Sequence, residues 1–145
     1  MIHFYKQDCN YLPVNRLALR KWITEVIRRE GYKAGEINYI FCSSGYHRQM
    51  NRDFLGHDYY TDVITFEARE SRVEEGIVAG EVYIDVATVE DNADIYGAQP
   101  FNEIRRIIVH GALHLCAHKD KSHSAEKEMR RLENRYLTLL REEIL

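Results

Sequence analysis

The chain has 145 residues but only three cysteines and two prolines, no long apolar run, and little excess of either charge. Each shortage excludes something. Cys9, Cys42 and Cys116 are odd in number and unpatterned in spacing, which argues against a disulfide framework and predicts reduced thiols. No stretch approaches the roughly 18 apolar residues of a membrane span. The opening Met1-Ile2-His3-Phe4-Tyr5-Lys6 lacks a basic segment followed by an apolar one, so no secretory signal is expected and the expected compartment is cytoplasmic. A net charge of −3 removes the broad basic field with which many nucleic-acid-binding domains grip their partner, so such a role must rest on a local patch. Candidates are Arg16, Arg20, Lys21, Arg28 and Arg29, and Lys119, Lys121, Lys127, Arg130 and Arg131. Interleaved glutamates favour reading both groups as solvated helix faces.

What is present is the composition of a soluble globular protein, long enough for one domain over residues 1–145 with its own core. Residues 2–6 predict a strand. Leu17, Leu19, Trp22, Ile23, Val26 and Ile27 recur at helical spacing between Pro13 and Gly31. Ile37–Cys42, Asp62–Phe66 and Ile77–Asp85 read as strands, the last two antiparallel across a polar loop. A short helix is expected over Tyr46–Leu55 with Ser44 as its cap, then a turn at Gly56-His57-Asp58. Further helices are expected over 86–96, from Pro100 onward, and after a Ser124 cap with Glu126 and Glu128 in its first turn. The order β-α-β-α-β-β-α-α-α predicts an α+β (mixed α/β) domain: one small mixed sheet of about four strands flanked by helices.

The chemistry concentrates in Val109-His-Gly-Ala-Leu-His-Leu-Cys-Ala-His-Lys-Asp120. Histidines four apart on a helix lie on one face, one turn above the other, where a single cation can hold both. Asp120 falls beyond the expected helix end and can close a three-ligand site of His110, His114 and Asp120. Three protein ligands leave a position open for water, the catalytic pattern for zinc. His118 extends the pair into a ladder, but an unbroken helix would spread it over roughly 12 Å, too far for both ends to reach one ion. His123 is a further candidate. The plain alternative is two histidines satisfied by hydrogen bonds. Gly111 stands where His-Glu-x-x-His proteases carry their general base, which argues against peptide hydrolysis by that route and suits close helix packing or substrate approach.

At these residues the chain resembles the YbeY family of endoribonucleases, whose signature is His-Gly-x-Leu-His-Leu-x-Gly-Tyr-Asp-His. A second block agrees: Met50-Asn51, Gly56-His57-Asp58, Thr61-Asp62-Val63-Ile64-Thr65-Phe66, and Gly80-Glu81-Val82-Tyr83-Ile84. The resemblance covers about residues 37 to 140. It implies a cytoplasmic metalloprotein, with Zn2+ as cofactor, that cuts single-stranded RNA. The implied setting is 3′-end maturation of small-subunit ribosomal RNA and ribosome quality control, with the small ribosomal subunit and its associated proteins as partners.

Three positions depart from the family pattern. Asp120 replaces the usual third histidine; its oxygen is an acceptable zinc ligand but lowers the site's positive charge. Ala117 replaces a glycine at a helix end, where a left-handed turn costs a non-glycine on the order of 1 kcal/mol. Leu55 replaces an arginine taken to contribute to phosphate binding or catalysis, leaving Arg52 or His57 as catalytic candidates. Asp62 and Glu81 are candidate general bases, or else plain structural acceptors. Competing classes are a metal-stabilised ribosome-assembly binding factor, which Leu55 and the weak charge favour, and a hydrolase of peptides or small esters.

Overall fold

The computed structural model describes residues 1–56, 61–68, 72–118 and 122–145, with position 73 described by its backbone alone. Among them the order is β1 (Ile2–Gln7), α1 (Arg16–Arg29), β2 (Lys33–Cys42), α2 (Ser44–Leu55), β3 (Val63–Glu67), β4 (Ile77–Asp85), α3 (Val86–Tyr96), α4 (Pro100–Leu115) and α5 (His123–Leu139). A π turn, Leu140–Ile144, follows. The strands form one sheet in the order β1-β2-β4-β3, with β1, β2 and β4 mutually parallel and β3 antiparallel to β4. This is the expected α+β architecture. No described helix is long and apolar enough to cross a membrane.

The two faces of the sheet do different work. Phe4, Tyr39 and Val82 pair across β1, β2 and β4 and so share one face. Phe4 and Tyr39 stack there at 5.6 Å, and the Tyr39 hydroxyl donates to the Ile108 carbonyl of α4 at 2.8 Å. Helix α1 lies beside α4, and its buried Trp22 donates its indole N–H to the Tyr136 carbonyl of α5 at 2.7 Å. The opposite face carries Tyr83 and Phe66, stacked on Tyr46 and edged by Phe54 of α2.

Helix α4 meets the sheet at a contact only glycine permits. A Cβ on Gly111 would lie 2.6 Å from Cγ1 of Val82, and one on Gly80 would lie 2.3 Å from the Phe66 carbonyl oxygen and 2.8 Å from Leu115. Two glycines, one on each partner, therefore set the helix-to-sheet distance. Of the two roles open to Gly111, close helix packing is the one observed.

Several local expectations are corrected. Ser43, not Ser44, caps α2: extended backbone lets its hydroxyl accept from the Tyr46 amide, while Ser44 is already helical and donates to Asp85 at 2.7 Å. Ser122, not Ser124, caps α5, accepting from the Ala125 amide, because the helix begins at His123. Leu17 is exposed, since it sits about 200° around α1 from Leu19 and misses the buried stripe. Strand β2 begins at Lys33, ahead of the expected Ile37, because Lys33 and Ala34 pair with Ile77 and Val78 before a register shift. All three cysteines are free thiols; burial raises Cys42 and Cys116 to about 12, so both behave as inert core groups.

Two expectations follow. Gly111→Ala gains about 1 kcal/mol of helix propensity but overpacks a core contact at a cost of about 1–3 kcal/mol, so it destabilises by up to about 2 kcal/mol net, read as a lower thermal midpoint. Val82→Ala in the same chain relieves part of that loss, so the double variant costs less than the sum of the singles. The second concerns His47, which is fully buried. Its Nε2 lies 3.0 Å from the Tyr83 carbonyl oxygen and its Nδ1 has no partner among the described residues. Burial lowers its pKa, outweighing the Tyr83 bond and the nearby Asp85 and Asp62. Its contribution to stability is therefore present above about pH 6.5, the unfolded value, and is lost as pH falls toward the depressed folded value. Urea unfolding at pH 7.5 and 5.5 finds a smaller pH effect in His47→Phe than in the natural chain.

Candidate functional site

Pro100 opens α4 at a position that needs no amide proton, and Ile104, Ile107, Ile108, Leu113 and Leu115 hold the helix in the core. His110 and His114 occupy its remaining, half-buried side, their ring centroids 4.5 Å apart and nearly perpendicular. His110 Nδ1 lies 2.7 Å from a carboxylate oxygen of Glu133 on α5. The other Glu133 oxygen accepts from Arg106 at 2.9 Å, and Arg106 also reaches Asn134 at 2.8 Å and Glu103 at 3.5 Å. Burial pushes Glu133 upward, but the bonds from His110 and Arg106 outweigh it and hold its pKa below the usual carboxylate range. The carboxylate is thus a charged, two-sided brace between α4 and α5.

This bond fixes the chemistry of His110. A carboxylate beside Nδ1 selects the tautomer protonated there, and coordination falls to Nε2. Histidines that ligate metals commonly donate the other ring N–H to a carboxylate, a backbone carbonyl or water. His110 has such a partner and His114 adjoins it, two imidazoles able to hold a metal; no group of three or more metal-ligating side chains is gathered among the described residues. Asp120 and His57 lie outside the described residues, as do Lys119 and Lys121.

Helix α4 ends at Leu115, so the three histidines do not form a continuous ladder. The end is built on Ala117, whose φ of +70° is left-handed, with its amide bonded to the His114 carbonyl and the His118 amide to the Leu113 carbonyl. The turn that a glycine would supply is therefore made by alanine in place. His118 leaves the helix and binds Glu30, the residue that ends α1, at 2.6 Å, where Tyr136 also donates. His123 begins α5 and is exposed.

The remaining sequence candidates stand elsewhere. Arg52 is exposed on α2, bonded to Gln49 and 3.9 Å from Asp53. Leu55 is the exposed last residue of that helix. Glu81 alternates with Gly80 and Val82, which both face α4, so it lies on the opposite face and takes a 3.4 Å bond from Tyr83. It is a structural acceptor, not a base beside the histidines. Asp62 lies at the entry to β3, its carbonyl accepting the Asp85 amide at 2.9 Å.

Sequence reasoning missed Glu133 and Arg106. The signal for Glu133 was an acid on the buried stripe of α5, between Met129, Leu132 and Tyr136. It also missed the cleft around His110, about 410 Å³ in volume, walled by Tyr96 of α3 and by Glu126, Met129, Arg130 and Glu133 of α5.

A small mixed sheet with a helix-borne histidine pair, one member of which lines an open cleft, defines the class of protein. A model of the family described as Endoribonuclease YbeY matches residues 4–141, so the chain belongs to that family. It is similar to the Endoribonuclease YbeY of Cytophaga hutchinsonii, 41% identical and covering 95% of this chain and 94% of the relative. The Porphyromonas gingivalis protein of the same name is 42% identical over 99% of this chain and 92% of its own length. The solution structure of TM1509 from Thermotoga maritima superposes with a TM-score of 0.67 at 25% identity, covering 97% of this chain and 89% of that one.

The strained helix end yields a stability expectation. Ala117→Gly removes the left-handed penalty of about 1–2 kcal/mol and loses part of it to unfolded-chain entropy. A net gain of about 0.5–1 kcal/mol is expected, measured as a rise of about 1–4 °C in thermal midpoint.

Proposed function

We propose that the chain is a metal-dependent endoribonuclease of single-stranded RNA. In this reading His110 and His114 hold one Zn2+ ion with Asp120 as third ligand, and the protein acts in the cytoplasm on the 3′ end of small-subunit ribosomal RNA and in ribosome quality control. Its partners there are the small ribosomal subunit and associated proteins. Family membership supports the enzymatic class over a binding factor, and Gly111 continues to argue against peptide hydrolysis. The observation that carries the metal reading is the 2.7 Å bond between His110 Nδ1 and buried Glu133.

A zinc ion held there supplies Lewis acidity at a phosphoryl oxygen or a water. The protein's own part is to position. Glu133 accepts the Nδ1 proton, fixes the imidazole ring and makes it a stronger donor. Arg106 keeps that carboxylate ionised and oriented. Aspartate as third ligand makes the site less electrophilic than three neutral histidines would. Arg52 and His57 are the cationic candidates for the charge that develops on the phosphoryl group.

Elemental analysis of the untagged protein tests this reading. About one zinc per chain is expected, reduced in Asp120→Ala. Glu133→Gln keeps an acceptor but loses the charge, and lowers zinc affinity about 10- to 100-fold in a chelator competition. His114→Ala lowers cleavage of single-stranded RNA at least about 100-fold, the scale for removing a group that stabilises transition-state charge. Full nuclease activity in purified His114→Ala, or a natural chain that takes up no zinc, overturns it.

A further inference from the structure

An RNA-cutting protein with net charge −3 must find affinity somewhere other than a general basic field. The local patches do not supply it in full. Arg28 and Arg29 are bound by Glu25, Arg131 by Glu128, and Arg106 by Glu133 and Glu103. These guanidiniums are already neutralised by carboxylates of the same protein.

The cleft above His110 offers a different resource. Tyr96, the last residue of α3, is 68% exposed and forms one wall. Its ring and hydroxyl have no hydrogen bond or ring contact among the described residues. The cleft is also lined by one face of α5, where Glu126, Arg130 and Glu133 follow at helical spacing. Arg130 is exposed and has no ion pair among the described residues, unlike its neighbour Arg131. An open aromatic face and an uncommitted guanidinium lining the same cleft as His110 are the two elements that single-strand sites combine. Stacking needs no net charge, because every base has a π face.

Resting on the endoribonuclease reading, we propose that Tyr96 is the stacking platform for a nucleobase of the single-stranded RNA substrate, with Arg130 contacting an adjacent phosphate in the same cleft. The arrangement selects unpaired RNA. A base held in a duplex has both faces covered by its neighbours and cannot lie on an isolated tyrosine. Tyr96 acts here as a binding and specificity residue, and it takes no part in bond cleavage.

The test uses a 2′-O-methyl single-stranded oligoribonucleotide, in which attack by the 2′-hydroxyl is blocked, read by fluorescence anisotropy on the whole chain, with a gel checking that the probe stays intact against attack by water. Tyr96→Ala is expected to weaken binding about 5- to 100-fold without changing its salt dependence, and Tyr96→Phe to recover most of the loss. Arg130→Ala is expected to weaken binding and lower the salt slope by about one. Tyr96 sits at an exposed helix end, so an unchanged thermal midpoint is expected and separates binding from folding. Natural-strength binding by Tyr96→Ala, while the natural chain cleaves RNA, overturns the stacking role alone. A natural chain that neither binds nor cleaves the RNA overturns the endoribonuclease reading and the proposal with it.

Discussion

The contact between Gly111 of α4 and Val82 of β4 is the constraint on which the site depends. Its closeness leaves no room for a β-carbon, so the helix axis can take only one depth on the sheet. His110 adjoins that glycine in sequence, and His114, one turn beyond His110, follows Ala112 and Leu113, both buried. The histidines therefore inherit their height above the sheet from a backbone-to-side-chain contact in the core, where interiors are packed too densely to drift. A glycine inside a helix is intrinsically unfavourable; here the tight approach offsets that by burying α4 on several sides at once.

The same depth explains the carboxylate behind His110. With α4 fixed on the sheet, α5 can dock only along its outer flank, and Trp22 and Tyr136 tie that helix to α1. Docking brings Glu133 into a mostly apolar seam, where an unpaired carboxylate would be costly. Arg106 and His110 together satisfy both oxygens. The arrangement works in both directions: the pair makes Glu133 tolerable in the core, and Glu133 orients the ring. A buried network of this kind specifies one geometry because partial satisfaction is worse than none.

Much of this was legible in the sequence, for identifiable reasons. Element order was readable because periodicities of two and 3.6 alternate cleanly, and because Pro100, Gly31 and Gly97 punctuate them. The histidine pair was readable because its spacing matches one helical turn. Cap positions were off by one or two residues because neighbouring serines compete, and only the backbone angle at Ser43 and Ser122 decides between them. Strand order, with β4 between β2 and β3, has no local signal. Glu133 and Arg106 were hidden by distance along the chain, and Glu81 stayed open between base and structural acceptor because the alternation that points it away from α4 becomes meaningful only once Gly80 and Val82 are seen against the helix. Tyr96 was hidden for the opposite reason: a single exposed tyrosine is ordinary in sequence, and only its shared cleft with His110 gives it meaning.

The exit from α4 shows how the fold tolerates a local misfit in order to keep a site in register. Ala117 adopts a left-handed backbone that its side chain disfavours, yet both hydrogen bonds of the terminating turn form. Two side-chain contacts downstream account for the persistence of that turn. His118 is drawn to Glu30, which Tyr136 also binds, and Ser122 caps the start of α5. The chain is thus anchored shortly after it leaves one helix and again as it enters the next, to two different partners. A penalty of about 1–2 kcal/mol at one residue is comparable to the loss of a half-buried carboxylate's two partners, so the contacts at Glu30 offset the strain of the turn. The residues that line the cleft, and those that hold the helices bearing them, are in this way parts of one packed unit.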